Sequence, residues 1–329
     1  MGYRQLFALH RTCARTQALP AAAASARART CGDLHPVPRE PRDPDPVASA
    51  HLRRRVPRRG GGREHHDLQR LSLAAFRDRD VFVAAALTPD RVRTARKPRV
   101  QDDIYSFGNG VRVYRRHVLD HQVDRYVKAQ AGNLHEPVEE HWFLTLLGEI
   151  PAADPLVYDI GCGIGYYTLL LLHERPGAEA VAFEPLPDHA AAIRENLALN
   201  GIAPDRLRLI EAAAHVAEGD VCFEAADFSS RVADEGGLRV AARDIAALLA
   251  AEARPVDLAK LDVQGAELAL LRRIVEAGQA ERVRRWIVGT HGDDLFAECC
   301  ALLGQHWRVV HSDPAPAHQP DGLIVAVRD

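Results

Sequence analysis

From Leu156 onward, apolar runs of strand length alternate with helical periodicities, a regularity that the first hundred residues lack. Leu156–Ile160 predicts a strand, and the apolar stretch Ile164–His173 a helix. A second strand covers Ala180–Pro185. A helix then runs through "PDHAAAIRENLALNG", with proline at its start and Asn200-Gly201 as its stop. "LRLIEAAA" predicts a third strand, "DVCFEAAD" a hairpin addition and "ARDIAALLAAEA" a helix. "DLAKLDVQG" is a buried strand, and "AELALLRRIVEAG" is the following helix, closed by Gly278. "RVRRWIVGTHG" and "LFAECCALLG" add another strand and helix, and "WRVVHS" and "GLIVAVRD" two more strands joined by a loop rich in Pro, Gly and Asp. Continuously apolar strands alternating with helices predict a mostly parallel sheet covered on both faces. No helix separates the last two strands, so the terminal one is expected to be antiparallel. The pattern as a whole predicts an α/β, Rossmann-like domain over residues 151–329, built on a seven-stranded sheet.

Ahead of it, residues 71–150 read as a small N-terminal cap. Asn109-Gly110, flanked by strand-like residues, signals a hairpin. Pro137 opens a helix with Val138, Trp142, Phe143, Leu146 and Leu147 at helical spacing. Residues 1–70 differ in kind. They hold Ala21–Ala24, repeated Pro-Arg-Asp units and "HLRRRVPRRGGGR", with almost no periodic apolar pattern. Such a segment buries too little surface to offset the entropy of ordering it, and the expectation is a disordered tail. The absence of Asp and Glu before Asp33 is superficially that of an organellar transit peptide. A basic tail, or an extension read from an upstream start codon, is favoured over that reading. The run Arg53–Arg59 is expected to be solvated.

Composition narrows the function. The formal net charge of −3 leaves no global basic footprint, so nucleic acid is not an expected partner. No apolar run approaches the length of a membrane span, and no membrane partner is expected. The six cysteines form no CxxC pair, and read as reduced thiols of a cytoplasmic protein. Three lysines among many arginines and alanines point to a GC-rich genome more than to chemistry.

The stretch "VYDIGCGIGYYT" carries the candidate chemistry. Gly161, Gly163 and Gly165 follow a strand and open a helix, as nucleotide-binding turns do. A dinucleotide fingerprint would place its third glycine at position 166, where Tyr166 stands. Asp159 ends the strand, where it would repel a pyrophosphate but suit a cationic group such as a methionyl ammonium. Glu184 ends the next strand, placed to accept both hydroxyls of a ribose. Either feature alone has a plainer reading, a tight turn or a helix-capping acid. Together they point to S-adenosylmethionine, with Asp159, Gly161, Gly163, Gly165, Tyr166 and Glu184 on the cofactor. Of Tyr166 and Tyr167, one is expected in the core and the other against the pocket.

"YDIGCGIGYYTLLL", "AFEPLPDHAAAIRENLALNG" and "LAKLDVQGAELALL", with "HEP" at His135–Pro137, resemble the FkbM family of S-adenosylmethionine-dependent methyltransferases over roughly Asn133 to His291. The resemblance implies a class I methyltransferase fold and O-methylation of a hydroxyl on a sugar, glycan or other small molecule. Where the family commonly carries an acid in "DVEGAE", this chain has Gln264, which keeps hydrogen bonding and loses a charge. That departure puts a base or metal role for the position in doubt and gives weight to a rival, a non-catalytic nucleoside-binding protein. An N-directed methyltransferase is a further alternative. A nicotinamide oxidoreductase ranks last, since no Tyr-x-x-x-Lys appears in the core.

In-line transfer of a methyl group needs chiefly positioning, and a hydroxyl nucleophile is helped by a base or a metal. Asp262, at a strand end, is the first choice for a residue near the methyl group; the plainer reading is a cap for the helix near Ala266. His291 in "VGTHG" is the general-base candidate, because a histidine titrates near neutral pH. Glu136, before the Pro137 helix, is a cofactor ligand or simply a helix start. Lys260 shares a strand face with Asp262, to orient a carboxylate or to pair with one. Glu267 reads as a first-turn acid. "HGDD" suggests a divalent cation, but its aspartates read more plainly as helix caps, and no metal is assigned. Phe228–Arg231 reads as a substrate loop or a connector.

Overall fold

A computed structural model describes residues 99–127, 132–224, 231–233 and 237–328. All of them fall in one compact unit, Arg79–Asp329. The expected tail (1–70), the first part of the expected cap and Phe228–Ser230 lie outside the described residues.

The described chain opens with three short antiparallel strands, β1 (Arg99–Gln101), β2 (Ile104–Ser106) and β3 (Arg112–Tyr114). The Asn109-Gly110 hairpin joins the last two. Gly110 takes φ +94°, and Phe107 N–H donates to the Val111 carbonyl at 2.9 Å. Helices α1 (Asp120–Tyr126) and α2 (Pro137–Glu149) follow, the second with its proline in the first turn.

The main unit then runs β4 (Leu156–Ile160), α3 (Tyr166–Glu174), β5 (Glu179–Phe183), α4 (Pro187–Leu199), β6 (Leu207–Ile210), β7 (Ala213–His215), β8 (Gly219–Glu224), β9 (Arg231–Ala233) and β10 (Leu238–Asp244). It closes with α5 (Ile245–Ala251), β11 (Leu258–Leu261), α6 (Glu267–Glu276), β12 (Arg285–Thr290), α7 (Asp293–His306), β13 (Arg308–Asp313) and β14 (Gly322–Val327). Seven strands form the central sheet in the order β13-β14-β12-β11-β4-β5-β6. Five are parallel neighbours, from β12 to β6, and β14 enters antiparallel between β12 and β13. The antiparallel terminal strand is as the sequence predicts.

The inner strands are buried on both faces, so their side chains divide by parity between two cores. Val157, Ala180, Ala182, Leu258 and Ile287 pack under α2, α3 and α4. Tyr158, Ile160, Phe183, Leu261, Trp286 and Val288 pack under α5, α6 and α7. Asp159 and Lys260 belong by parity to the first face, and they are paired across β4 and β11. Two charged groups therefore replace apolar ones at the carboxyl ends of two central strands. The four described cysteines are all free, two of them buried.

One region departs from the sequence reading. "LRLIEAAA" is not one strand: it breaks after Ile210, and Ala213–His215 turns into a separate four-stranded sheet, β7-β10-β8-β9. The expected helix "ARDIAALLAAEA" starts only at Ile245. Its first residues finish β10, where Val240, Ala242 and Asp244 point inward by strand alternation. Asp244 then caps α5, accepting from Ala246 N–H at 3.0 Å.

Candidate active site

The chain runs from β4 outward through β5 to β6, then returns to the other side of β4 as β11. This reversal opens a crevice beyond the carboxyl ends of β4 and β11, where α/β sheets bind ligands. Asp159 lies there, 4% exposed. Its Oδ2 accepts from Thr168 Oγ1 at 2.7 Å, while its buried Oδ1 has no hydrogen-bond partner. Burial raises its pKa, opposed by Lys260 and Thr168. A buried carboxylate oxygen left without a donor costs about 1–3 kcal/mol, and a ligand that supplies the donor removes that cost.

The glycine turn closes the end of β4. Gly161 and Cys162 N–H both donate to the Phe183 carbonyl, at 3.2 and 3.1 Å, which ties the turn to the neighbouring strand. Gly161, Gly163 and Gly165 all take positive φ, at +84°, +55° and +85°. Gly165 is the left-handed residue that begins α3. Tyr166 and Tyr167 follow it. Both are buried and both line the crevice, which differs from the expected division between core and pocket. Tyr166 Oη donates to Glu140, accepts from Asn109 Nδ2 at 2.8 Å, and so joins the β2–β3 hairpin to the glycine turn. The Tyr167 ring lies 4.8 Å from Lys260 Nζ. Burial pushes both phenols well above their ordinary pKa.

Glu184, just past β5, is buried and lines the same crevice. Its Oε1 accepts the Leu186 N–H at 2.9 Å and faces His189 Nδ1 at 3.4 Å, so it also shapes the entry to α4. Glu136 precedes α2 without a side-chain cap bond, and its buried carboxyl points to the crevice wall. Burial, and then Glu139, raise its pKa well above the usual carboxylate range.

At the end of β11, Lys260 Nζ bridges Asp262 Oδ2 at 3.0 Å and Glu139 Oε1 at 3.2 Å. Burial works against its charge, but Asp262 and Glu139 hold the ammonium well above its ordinary pKa. Burial likewise disfavours ionised Asp262, yet Lys260 and His291 outweigh it and hold the carboxyl below the usual range. Asp262 does not cap α6, whose N-terminus carries no side-chain cap. Glu267, fully buried, instead braces the loop before that helix, its carboxylate accepting N–H bonds from Val263 at 3.0 Å and Gly265 at 3.0 Å. Gln264, at φ +59°, donates to Asp262 Oδ1 at 3.3 Å, where an acid would repel it.

His291 is in place, but in a charge state other than the one expected. Its Nδ1 lies 3.0 Å from Glu267 Oε1, and its Nε2 lies 3.2 Å from Asp321 Oδ1 and 3.6 Å from Asp262 Oδ1. Burial works against a charge there, but Glu267, Asp262 and Asp321 push its pKa up to about 9. The same three acids favour its protonated form, in which it accepts no proton. Asp293 and Asp294 of "HGDD" sit in the first turn of α7.

One open cavity of about 430 Å³ gathers most of the expected residues: Glu136, Asp159, Gly161, Gly163, Tyr166, Glu184 and Asp262. Gly165 is not part of its lining, and His291 lines an adjoining cavity of about 220 Å³, with Asp321 on the wall of both. Sequence reading missed Asp321, Glu139 and Arg125, which also line or flank the crevice. Asp321 stands in the Pro/Gly/Asp-rich loop taken as a connector, just before a fully buried strand. That position was its only signal.

Counted along the central sheet alone, the strand order is sixth, seventh, fifth, fourth, first, second, third, the class I methyltransferase arrangement. Residues 159–310 match the family model described as the methyltransferase FkbM domain. The 2-O-methyltransferase NoeI of Sinorhizobium fredii (strain NBRC 101917 / NGR234) is 40% identical over 70 residues, 21% of this chain and 27% of that protein. The match thus spans about a quarter of that curated relative's length. Among solved structures, precorrin-6y C5,15-methyltransferase from Geobacter metallireducens GS-15 is 17% identical, with a TM-score of 0.35, over 57% of this chain and 87% of that one. Magnesium protoporphyrin IX methyltransferase from Synechocystis PCC 6803, with bound S-adenosylmethionine, is 14% identical, with a TM-score of 0.39, over 59% and 80%. The family match bears out the class expected from the sequence, a methyltransferase domain of the S-adenosylmethionine-dependent kind. Among the described residues, no helix is long and apolar enough to cross a membrane.

Proposed function

We propose that this protein is an O-methyltransferase that moves the methyl group of S-adenosylmethionine to a hydroxyl of a sugar, glycan or other small molecule. The observation that carries the reading is the unpartnered Oδ1 of Asp159, buried beside a three-glycine turn. An ammonium donor on the ligand satisfies that oxygen, whereas a pyrophosphate repels it. Asp159 and Glu184 would hold the polar ends of the cofactor, with Glu136, Tyr166 and the glycine turn closing around it. The cofactor supplies an electrophilic methyl with a neutral leaving group.

The remaining work falls to the chain's own side chains. Lys260 keeps Asp262 ionised, ready to accept the hydrogen bond of an acceptor hydroxyl, aim its oxygen and take its proton as the methyl transfers. His291 sits behind Asp262 and balances the charge gathered there. The name of the curated relative, a 2-O-methyltransferase, supports oxygen as the acceptor atom.

The test is a labelled-methyl transfer assay over a panel of sugars, glycans and small alcohols. Asp262→Asn and His291→Gln are expected to lower turnover by about a hundredfold or more while S-adenosylhomocysteine still binds. Transfer to nitrogen in place of oxygen, or tight binding with no transfer to any acceptor, would contradict the reading.

A further inference from the structure

The group of side chains around His291 has an arrangement that methyl transfer by positioning alone does not require. Asp262, Glu267 and His291 each bring one ligand-type atom to within 4.8 Å of the others. Within that group, Glu267 is already committed. Both its oxygens accept backbone N–H bonds from the loop that leads into α6, and Oε1 also faces His291 Nδ1 at 3.0 Å. A carboxylate fixed in this way, holding one imidazole nitrogen, leaves the other nitrogen aimed and available, which is how histidine metal ligands are oriented.

That other nitrogen, Nε2, is buried and makes no hydrogen bond. It looks onto two carboxylate oxygens, Asp321 Oδ1 at 3.2 Å and Asp262 Oδ1 at 3.6 Å. Two ligands bound at roughly 2.1 Å to one cation stand about 3.0–3.4 Å apart, the range that separates octahedral from tetrahedral angles. The observed spacings lie at and just beyond it. Asp262 can serve both sides: its Oδ2 pairs with Lys260, and its Oδ1, which accepts only a long 3.3 Å bond from Gln264, faces His291. A second sign comes from Thr290. It is 1% exposed, its Oγ1 has no hydrogen-bond partner, and it lines the same small cavity as His291 and Asp321. A hydroxyl left unpaired in such a place is one a metal-held water would satisfy.

We infer that His291 Nε2, Asp262 and Asp321 form a binding site for a divalent transition-metal cation of the Mn²⁺ class, which takes the place of the Nε2 proton and releases it to water, with Glu267 orienting the histidine from behind. One imidazole and two carboxylates suit such a cation, and leave positions open for water or for an acceptor oxygen. Because Asp262 and Asp321 also line the main crevice, a cation there borders the place where the acceptor would lie.

The test titrates the chelator-treated 329-residue protein with MnCl₂, following free Mn²⁺ by electron paramagnetic resonance. S-adenosylhomocysteine binding is measured on the same samples by calorimetry. One Mn²⁺ per chain is expected, with affinity reduced at least about tenfold in His291→Gln and in Asp321→Asn and unchanged in His306→Gln. Circular dichroism and retained S-adenosylhomocysteine binding show that the variants fold. No Mn²⁺ binding, or binding of equal affinity in all three variants, overturns the inference. S-adenosylhomocysteine binding without Mn²⁺ binding refutes the metal site and leaves the methyltransferase reading standing; the reverse result refutes that reading and not the site.

Discussion

The carbonyl oxygen of Asp262 lies 1.8 Å from the point where a Cβ on Gly161 would stand. The glycine turn after β4 and Asp262, just after β11, are therefore in backbone contact, and the absence of a side chain at Gly161 is what allows it. Gly161 also takes φ +84°, a conformation that costs other residues about 1–3 kcal/mol. Gly161→Ala combines that strain with overpacking, so it is expected to destabilise by about 2–6 kcal/mol in urea unfolding and to abolish S-adenosylhomocysteine binding. Gly201→Ala is the control. It has positive φ too, at +68°, but nothing within 4 Å of its Cβ, so it should cost only the conformational strain and leave binding intact.

Lys260 pairs with two acids, and its pair with Glu139 is buried. It is 3% exposed, with Glu139 at 1%, and a buried pair broken on one side costs about 3–5 kcal/mol. Lys260→Met is expected to fall in that range. Adding Glu139→Gln removes one of the two stranded charges, so the double variant should be more stable than the single one. A double variant less stable than Lys260→Met, measured by chemical denaturation, would show that the two groups are not coupled.

His135 makes stability depend on acid. Its Nδ1 lies 2.6 Å from Tyr126 Oη, its Nε2 lies 3.8 Å from Glu136 Oε1, and the rings of Tyr126, Tyr166 and Tyr167 surround it. Burial, then Arg125 and Lys260, push its pKa down to about 3, with Asp262 opposing. The folded protein keeps it neutral where the unfolded chain, with an ordinary value near 6.5, takes a proton. Its contribution is whole above about pH 6.5 and falls by at most about 1.4 kcal/mol per pH unit below it. Glu136 and Glu139, with raised values, act in the opposite sense, so the parent's own profile mixes the two. The difference between parent and His135→Asn isolates the histidine. The parent's Tm advantage over the variant should shrink between pH 7 and pH 5, and a constant difference would contradict the assignment.

The alternation of apolar strands and helices was legible because both faces of the central sheet are covered, which leaves strands such as Leu258–Leu261 without a polar position except Lys260. The Asn109-Gly110 hairpin was legible from turn chemistry alone. Asp159, Glu184 and Asp262 were found because each ends a strand at the crevice, a position that sequence spacing reports. The small sheet around β10 was hidden by alanine: Ala241 and Ala242 alternate outward and inward without any change in polarity. The surroundings of His291 were hidden because all three of its acidic neighbours come from other segments, Asp321 thirty residues downstream and Glu267 and Asp262 twenty-four and twenty-nine upstream. Asp321 gave no sign beyond preceding a strand, and its role exists only once β14 is inserted beside β12.

The measurement that goes most directly to the nature of the crevice is calorimetric titration with S-adenosylmethionine, S-adenosylhomocysteine and NAD in parallel, on the parent, Asp159→Asn and Glu184→Gln. The two sulfur nucleosides are expected to bind at one site, at least about tenfold more weakly in either variant, a loss of about 1.4 kcal/mol or more, while NAD gives no heat. Binding of NAD, or sulfur-nucleoside binding indifferent to both substitutions, would contradict the cofactor assignment and every role built on it.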